Sequence, residues 1–381
     1  MRDLKETRLR INEIDDKLYA LFNERIALSH DVADYKRAMG TPIYDAHRER
    51  ENIAAAMGKV DPRLSNYAAT IQSVLMQASR DEQYHYLGLS SETSINMKNA
   101  MAASPAYFPQ KAVVACQGVE GAYQQIACDR MFKHAQVKYF KSFEEVFVAV
   151  EEGQCDYGVL PIENSTAGSV NHVFDLMMSH RFSIVRTCRL KIDHNLLVKP
   201  GVKREDVKIV YSHQQAISQC ADYIAHIPGC QVQVCENTAI ASQIVAQSDR
   251  RDIAALASRS CAELYGLEIA DSAVQDLANN YTRFACIARN LTIFPGADRA
   301  SLMAITPHEP GSLYKVLGLF YSLDVNLVKL ESRPIPGRDF EWMFYFDIEC
   351  PAAAPEMQTL LDSLGDVCED YRYLGSYAEV I

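Results

Sequence analysis

The chain has 381 residues, 48% hydrophobic and 23% charged, a globular balance with room for two or three domains of roughly 100–200 residues each. Its net charge of −11 excludes the basic footprint that nucleic-acid binding requires. No run approaches the roughly 18 apolar residues of a membrane span, and the charged start MRDLKETRLRINEIDD has no signal-peptide character; a soluble, cytoplasmic protein with no nucleic-acid or membrane partner is expected.

Lys+Arg against Asp+Glu runs 13 to 14 over residues 1–88, 19 to 21 over 89–293 and 6 to 14 over 294–381, so the excess negative charge is concentrated in the last segment. An anionic ligand must therefore be captured by local cations, because the overall field repels it. The eleven cysteines all follow residue 115 and form no CxxC pair, which reads as reduced thiols. Cys261, between Ser260 and Ala262, reads as a small buried hydrophobe rather than a nucleophile.

From the N-terminus, residues 4–39 contain neither Gly nor Pro, and Ile11, Ile14, Leu18, Leu21, Leu28 and Val32 recur at helical spacing. One long helix is predicted, ended by Gly40-Thr41-Pro42 and too long to stand without a partner helix. A second helix is predicted from about Asp45 to Met57, and a third from Asp61-Pro62 to about Tyr86, making residues 1–88 an all-α domain. Residues 89–110, rich in Ser, Ala and Asn with two prolines, read as a linker, part of it of helical composition. From 111 to 293 short apolar runs such as KAVVACQG, DYGVLPIEN, VKIVYS and TRFACIARN alternate with helical stretches, the signature of an α/β domain with room for two lobes and a cleft. Residues 298–381 read strand–helix–strand–strand–helix–strand, the ferredoxin-like α+β order.

Two cations stand out in the first helix. At about 100° per residue, Arg25 and Lys36 fall about 20° apart within the stripe of Ile14, Leu18, Leu21 and Val32. Like charges there are costly unless an anion joins them. Asp45, Arg48 and Glu49 share one face of the second helix, and Ser79 and Gln83 are i, i+4 neighbours on the third. Over residues 8–83 this pattern resembles the helical chorismate mutases. The resemblance implies an intertwined homodimer whose long first helix spans both active sites. It implies that Arg25 and Arg48 grip the substrate carboxylates with Arg8 from the partner chain. Asp45 and Glu49 would bind the ring hydroxyl, Lys36 and Gln83 would donate to the ether oxygen, and Ser79 would line the pocket. A pericyclic rearrangement needs only a fixed conformer and stabilised charge on that oxygen, and planar guanidinium forks suit a dicarboxylate.

In the α/β segment no GxGxxG or GxxxxGK[ST] occurs, so no nucleotide cofactor is implied, and no metal-ligand cluster is apparent. GVEGAYQ, from Gly118 to Gln124, forms a glycine turn before a helix, a candidate anion cradle. PIENSTAGS follows an apolar strand with four consecutive hydrogen-bonding residues, Glu163, Asn164, Ser165 and Thr166. Ser212-His213-Gln214-Gln215 follows VKIVY, and NNYTRF sets Thr282, Arg283 and Phe284 at a strand start. In order and spacing these motifs resemble the prephenate dehydratases. The resemblance implies two α/β lobes like a periplasmic binding protein, with Glu163, Asn164, Ser165, Thr166, Ser212, Gln215, Thr282, Arg283 and Phe284 in the cleft. His194, which also matches a family position, reads as a hydrogen-bonded structural residue. Gln124 stands where that family commonly has Ser, and Gln214 where it commonly has Pro. Prephenate loses CO₂ and its ring hydroxyl with aromatisation as the driving force, chemistry that needs a proton donor and no metal. Glu163 with a raised pKa and Thr282 as a hydroxyl relay are the two candidate donors. Arogenate shares the ring and leaving group, so the motifs alone leave the two substrates open.

GSLYKVLGLFYSLDVNLVKLESRP, from Gly311 to Pro334, resembles the ACT regulatory domain of dehydratases. The resemblance implies a phenylalanine site built from Gly311, Ser312, Leu313, Asn326, Leu327, Glu331, Ser332 and Arg333, shared across a homodimer or higher homo-oligomer. Ser312 and Val328 depart from the usual Ala and Thr. The three segments together resemble bifunctional chorismate mutase/prephenate dehydratases with a C-terminal ACT domain. A non-catalytic amino-acid-binding regulator would leave the helical domain without a purpose. Lys36→Ala is expected to remove most mutase activity in a stopped-time chorismate assay; a kcat within about threefold of wild type would sink the role given to Lys36.

Overall fold

The computed structural model describes residues 3–339 and 341–381. Its first helix runs Leu4–Met39, with Asp3 accepting from the Lys5 amide at one end and Gly40 closing the other in the left-handed region at φ 65°. The second helix is Ala46–Met57, capped by Asp45, and the third is Ser65–Leu87, closed by Gly88 at φ 61°. The apolar stripe seen in the sequence is uncovered in the single chain: Ile11, Ile14, Leu18, Leu21, Leu28 and Val32 are all exposed.

The segment expected to be a linker is mostly a fourth helix, Glu92–Ala103, with Ser91 as its cap. Met97 is 2% exposed and, with Ala100 and Met101, packs into the core of residues 291–373. Burying one such side chain is worth about 1.5–3 kcal/mol, so this is a docked strut rather than a tether. Its amphipathicity is weak and its partner lies some 200 residues downstream in sequence, so local pattern does not reveal the docking.

Residues 111–288 build two sheets. The first places the strands in the order Glu379–Val380, Ser183–Lys191, Tyr281–Ala288, Tyr157–Asn164, Lys111–Gln117 and His134–Phe140, with the short Gly168–Ser169 beside Tyr157–Asn164. The second runs Glu268–Asp271, Asn195–Val198, Ile253–Ala257, Ile209–His213, Gln231–Cys235. The chain leaves the first sheet after Lys191 and returns to it at Tyr281, so two crossings join the lobes and a cleft opens between them. Alternating helices bury Val146, Phe147 and Val150 on one face of the first sheet and Ala127, Cys128 and Met131 on the other.

The last unit is a four-stranded antiparallel sheet in the order Asn326–Pro334, Trp342–Glu349, Arg299–Ile305, Asp370–Tyr377, with helices Ser312–Ser322 and Pro355–Val367 on one face. The chain order is βαββαβ, as predicted from the sequence. Its other face lies against the first α/β sheet: Met303, Tyr345, Leu374 and Tyr377 share a core with Phe147, Phe174 and Ile184. The end of the chain goes further than the sequence suggests, because Glu379–Val380 adds a parallel strand to Ser183–Lys191. At this seam Gly375 has φ 125°, and a Cβ there would sit 2.5 Å from the Ile184 carbonyl oxygen. Gly375→Ala is therefore expected to cost about 2–3 kcal/mol, read as a lower urea midpoint; an unchanged midpoint would mean that the two backbones are not held together there.

Candidate active sites

The three helices of the N-terminal domain enclose a cavity of about 330 Å³. Arg25, Lys36, Asp45, Arg48, Glu49, Ser79 and Gln83 all line it, so seven of the eight sequence candidates converge. The eighth, Arg8, is exposed on the same helix, about 26 Å from Arg25 at 1.5 Å per residue, and does not reach this cavity. Arg25 Nη1 donates to the Leu75 carbonyl at 2.7 Å and to Ser79 Oγ at 2.5 Å. Lys36 Nζ donates to the Ile43 carbonyl. Neutral oxygens thus orient both cations without cancelling their charge. Burial pushes both pKa values down, and Asp45 and Glu49 oppose the shift at Lys36. Gln83 Nε2 donates to the Ser79 carbonyl at 2.9 Å, leaving its buried Oε1 without a partner. Asp45 Oδ1 accepts from the Arg48 amide at 3.0 Å, a cap that holds its carboxyl below the usual range. Arg48 is mostly exposed at the rim and pairs with Glu51 at 3.2 Å.

Among the charged lining residues one was missed. Arg80 is buried, bonds to Glu49 through Nη1, lies over the Tyr44 ring at 5.3 Å, and pairs through Nε with Asp366 of the C-terminal domain at 3.0 Å. Its signal was present, since it neighbours Ser79 and stands three residues before Gln83, but its anionic partner lies in another domain.

The cleft between the α/β lobes has a volume of about 370 Å³. Asn164, Gln215, Thr282 and Phe284 line it as anticipated, with Gln124 and His194. At its centre Asn164 Nδ2 donates to Thr282 Oγ1 at 2.9 Å and to Asn280 Oδ1 at 2.8 Å. Asn164 Oδ1 accepts from Thr166 Oγ1 at 2.7 Å and from the amides of Thr166 and Ala167. Asn164 takes one of the two lone pairs of the Thr282 hydroxyl, which keeps its own O–H as a donor. Gln219 ties the lobes together: Nε2 donates to Thr166 Oγ1 at 2.8 Å, and Oε1 meets Asn280 Nδ2 and His194 Nε2, each at 3.0 Å. Burial lowers the His194 pKa, partly countered by Gln219, which favours a neutral ring. Gln219 and Asn280 were both missed, although Gln219 is one helical turn beyond Gln215 and Asn280 adjoins the Thr282 motif. The N-termini of helices Tyr123–Met131 and Thr238–Gln247 also reach the cleft, through Tyr123, Gln124, Asn237 and Thr238.

Five residues expected in the cleft are outside its lining. Glu163 and Arg283 alternate with Asn164 and Thr282 along their strands and so face the opposite side of the sheet. There Arg283 Nη2 pairs with Glu163 at 2.9 Å and with Asp347 at 2.7 Å, while Glu163 also pairs with Lys329 at 3.0 Å. Asp347 and Lys329 belong to the C-terminal sheet, so this is an inter-domain ion cluster, and Glu163 is not positioned as an acid in the cleft. Ser212 is fully buried and donates to the Leu256 carbonyl at 2.7 Å, a role within the sheet. Ser165 donates to the Asn279 carbonyl at 2.8 Å and accepts from the Tyr281 amide, which pins the two loops. Thr166 stands just behind the lining, bonded to Asn164 and Gln219. Cys261 is buried, with Sγ against the Gly121 carbonyl at 3.3 Å.

In the C-terminal domain a cavity of about 380 Å³ is lined by Gly311, Ser312 and Leu313, with His308, Glu309, Tyr314, Trp342 and Phe344. The remaining effector candidates lie apart from it in this chain. Glu331 meets Ser169, and Arg333 forms two bonds to Asp175 at 2.8 and 3.0 Å, both in the dehydratase-like lobe. Asn326 donates to Glu349 at 2.7 Å, Leu327 packs on the domain core, and Ser332 is exposed.

Comparison with known proteins gives this geometry a family. The family described as chorismate mutase type II matches residues 7–84, and prephenate dehydratase matches residues 114–292. The bifunctional chorismate mutase/prephenate dehydratase of Escherichia coli (strain K12) is 32% identical over 379 residues, covering 97% of this chain and 95% of its own. This chain belongs to the bifunctional chorismate mutase/prephenate dehydratase family. A plant relative, arogenate dehydratase/prephenate dehydratase 1 of Arabidopsis thaliana, is 37% identical over 284 residues, 70% of this chain and 72% of its own. Among solved structures, prephenate dehydratase from Arthrobacter aurescens in complex with L-Phe superposes with a TM-score of 0.64 at 26% identity, covering 70% of this chain and 89% of that one.

Within such a bifunctional chain the two cavities act as controls for each other. Thr282→Ala is expected to lower dehydratase kcat by at least about a hundredfold while mutase kinetics stay at wild-type values; parallel loss of both activities would point to misfolding instead.

Proposed function

We propose that the two activities of the family are carried by two separate cavities of this chain: chorismate is rearranged to prephenate among the three N-terminal helices, and prephenate is converted to phenylpyruvate in the cleft, under feedback by phenylalanine. The observation that carries the reading is the shared cavity of Arg25 and Lys36, two cations held by neutral oxygens and open to an anion.

In the mutase cavity Arg25 and Arg48 receive the carboxylates. Lys36 and Gln83 face the ether oxygen as it gains negative charge, and Asp45 and Glu49 hold the ring hydroxyl. No proton moves; binding energy is spent on one compact conformer. The exposed stripe from Ile11 to Val32 and the outlying Arg8 fit a second copy of the chain, whose Arg8 would complete this cavity. The first helix, 36 residues and about 54 Å long, has the reach to serve both cavities of such a dimer.

In the cleft Thr282, polarised by Asn164, relays a proton from solvent to the departing ring hydroxyl, which leaves as water while the bond to the ring carboxylate breaks, releasing CO₂ and giving its electron pair to the aromatic ring. The substrate carboxylates meet helix N-termini at Tyr123 and Thr238 rather than Arg283. The C-terminal module is read as an ACT domain whose effector cavity lies at Gly311–Leu313. Its edge strand Asn326–Pro334 reaches Ser169 on the cleft wall through Lys329 and Glu331, so a shift of that strand moves the cleft. Phenylalanine must then favour one of two arrangements of this contact.

Incubation with chorismate, followed by alkaline phenylpyruvate absorbance, tests the sequence of reactions: phenylpyruvate should accumulate, and phenylalanine should slow it while changing the fluorescence of Trp342, which lines the effector cavity. Prephenate accumulating without phenylpyruvate would overturn the dehydratase reading, and unchanged fluorescence with unchanged rates would overturn the sensor reading.

A further inference from the structure

We infer that Asp366, carried by helix Pro355–Val367 of the C-terminal domain, is a positioning residue of the mutase cavity, acting through Arg80. The inference rests on the reading of that cavity as the mutase site.

The geometry is a carboxylate–guanidinium–carboxylate row crossing a domain boundary. Arg80 Nη1 bonds to Glu49, and its Nε stands 3.0 Å from Asp366 Oδ2. The side chains of Arg80 and Asp366 are each 9% exposed, and that of Glu49 is 22% exposed. A guanidinium so enclosed must keep its counter-charges, because removing one partner strands the other charge away from water. The Nε contact is one of charge and not an aligned hydrogen bond, since neither Arg80 Nε nor Asp366 Oδ2 has a hydrogen-bond partner in that direction. Arg80 is therefore balanced between two carboxylates, and its place depends on both.

The rest of the seam holds Asp366 in register. Tyr84 Oη donates to Asp366 Oδ1 at 3.4 Å, Ser363 Oγ donates to Asp81 at 2.8 Å, and the Ser91 amide donates to Asp362 at 2.7 Å. These contacts dock the third helix and the start of the fourth onto Pro355–Val367. Glu49 is the residue read as accepting the substrate hydroxyl, and the oxygen it gives to Arg80 decides how its other oxygen is aimed. Without Asp366, Arg80 retains only Glu49 as a counter-ion, pairs with it more tightly and draws it from the substrate. The C-terminal domain thereby helps to build the mutase cavity as well as touching the dehydratase cleft.

The test compares Asp366→Asn, Asp366→Glu, Arg80→Lys, the Asp366→Asn/Arg80→Lys pair and Lys36→Ala in the full chain, each assayed for both activities. For Asp366→Asn, mutase kcat/KM should fall about tenfold, mostly through KM for chorismate, with dehydratase kinetics unchanged and partial recovery in Asp366→Glu. The double variant should lose no more than the worse single one. Wild-type mutase kinetics in Asp366→Asn, equal loss of both activities, or additive losses in the double variant would each overturn the inference. A fully active Lys36→Ala would instead overturn the cavity reading beneath it, so the two failures are told apart.

Discussion

A guanidinium taken out of water must meet negative charge, and three arginines of this chain meet that demand in different ways. Arg283 satisfies it within the protein, between Glu163 and Asp347, and so fastens the dehydratase sheet to the C-terminal sheet. Arg80 satisfies it across another boundary, between Glu49 and Asp366. Arg25 is held by a carbonyl and a hydroxyl, oriented but not neutralised, where it lines an open cavity. The same electrostatic cost thus produces an interface in two cases and a cation-lined cavity in the third.

The domain arrangement follows from where those pairs fall. The C-terminal unit is wedged among its neighbours: its helix Pro355–Val367 receives the third and fourth helices, its sheet lies on the first α/β sheet, and its last residues join that sheet as an edge strand. Contacts of this kind mix hydrophobic burial with charged pairs. A module placed there is in contact with residues of both cavities without contributing a residue to either lining.

In the cleft, polarity is arranged with neutral groups. Asn164, Asn280, Gln219 and Thr166 form one continuous hydrogen-bonded row that ends on the Thr282 hydroxyl. Amide side chains serve here because each has both a donor and an acceptor, so every member can be satisfied while one hydroxyl keeps its own O–H as a donor at the cleft. Gln219 comes from the second lobe and Asn164 from the first, which makes the row sensitive to the angle between the lobes.

By itself the sequence determined the element order, the βαββαβ tail, and the convergence of Arg25, Lys36, Asp45, Arg48, Glu49, Ser79 and Gln83. Those residues lie on helices whose 3.6-residue period states which way a side chain points, and short loops leave three such helices few ways to pack. The strand motifs were legible as neighbours of a cleft but not as its lining, because successive strand residues face opposite sides and a motif does not say which side is the cleft. Glu163 and Arg283 were lost on that alternation, and Ser212 on the same ambiguity. Only the tertiary structure decided that residues 92–103 dock as a helix, that the chain end returns to the α/β sheet, and that Asp366 faces Arg80. Each depends on partners tens to hundreds of residues apart, and such pairings are set by surface complementarity between finished elements, which no local window of sequence contains.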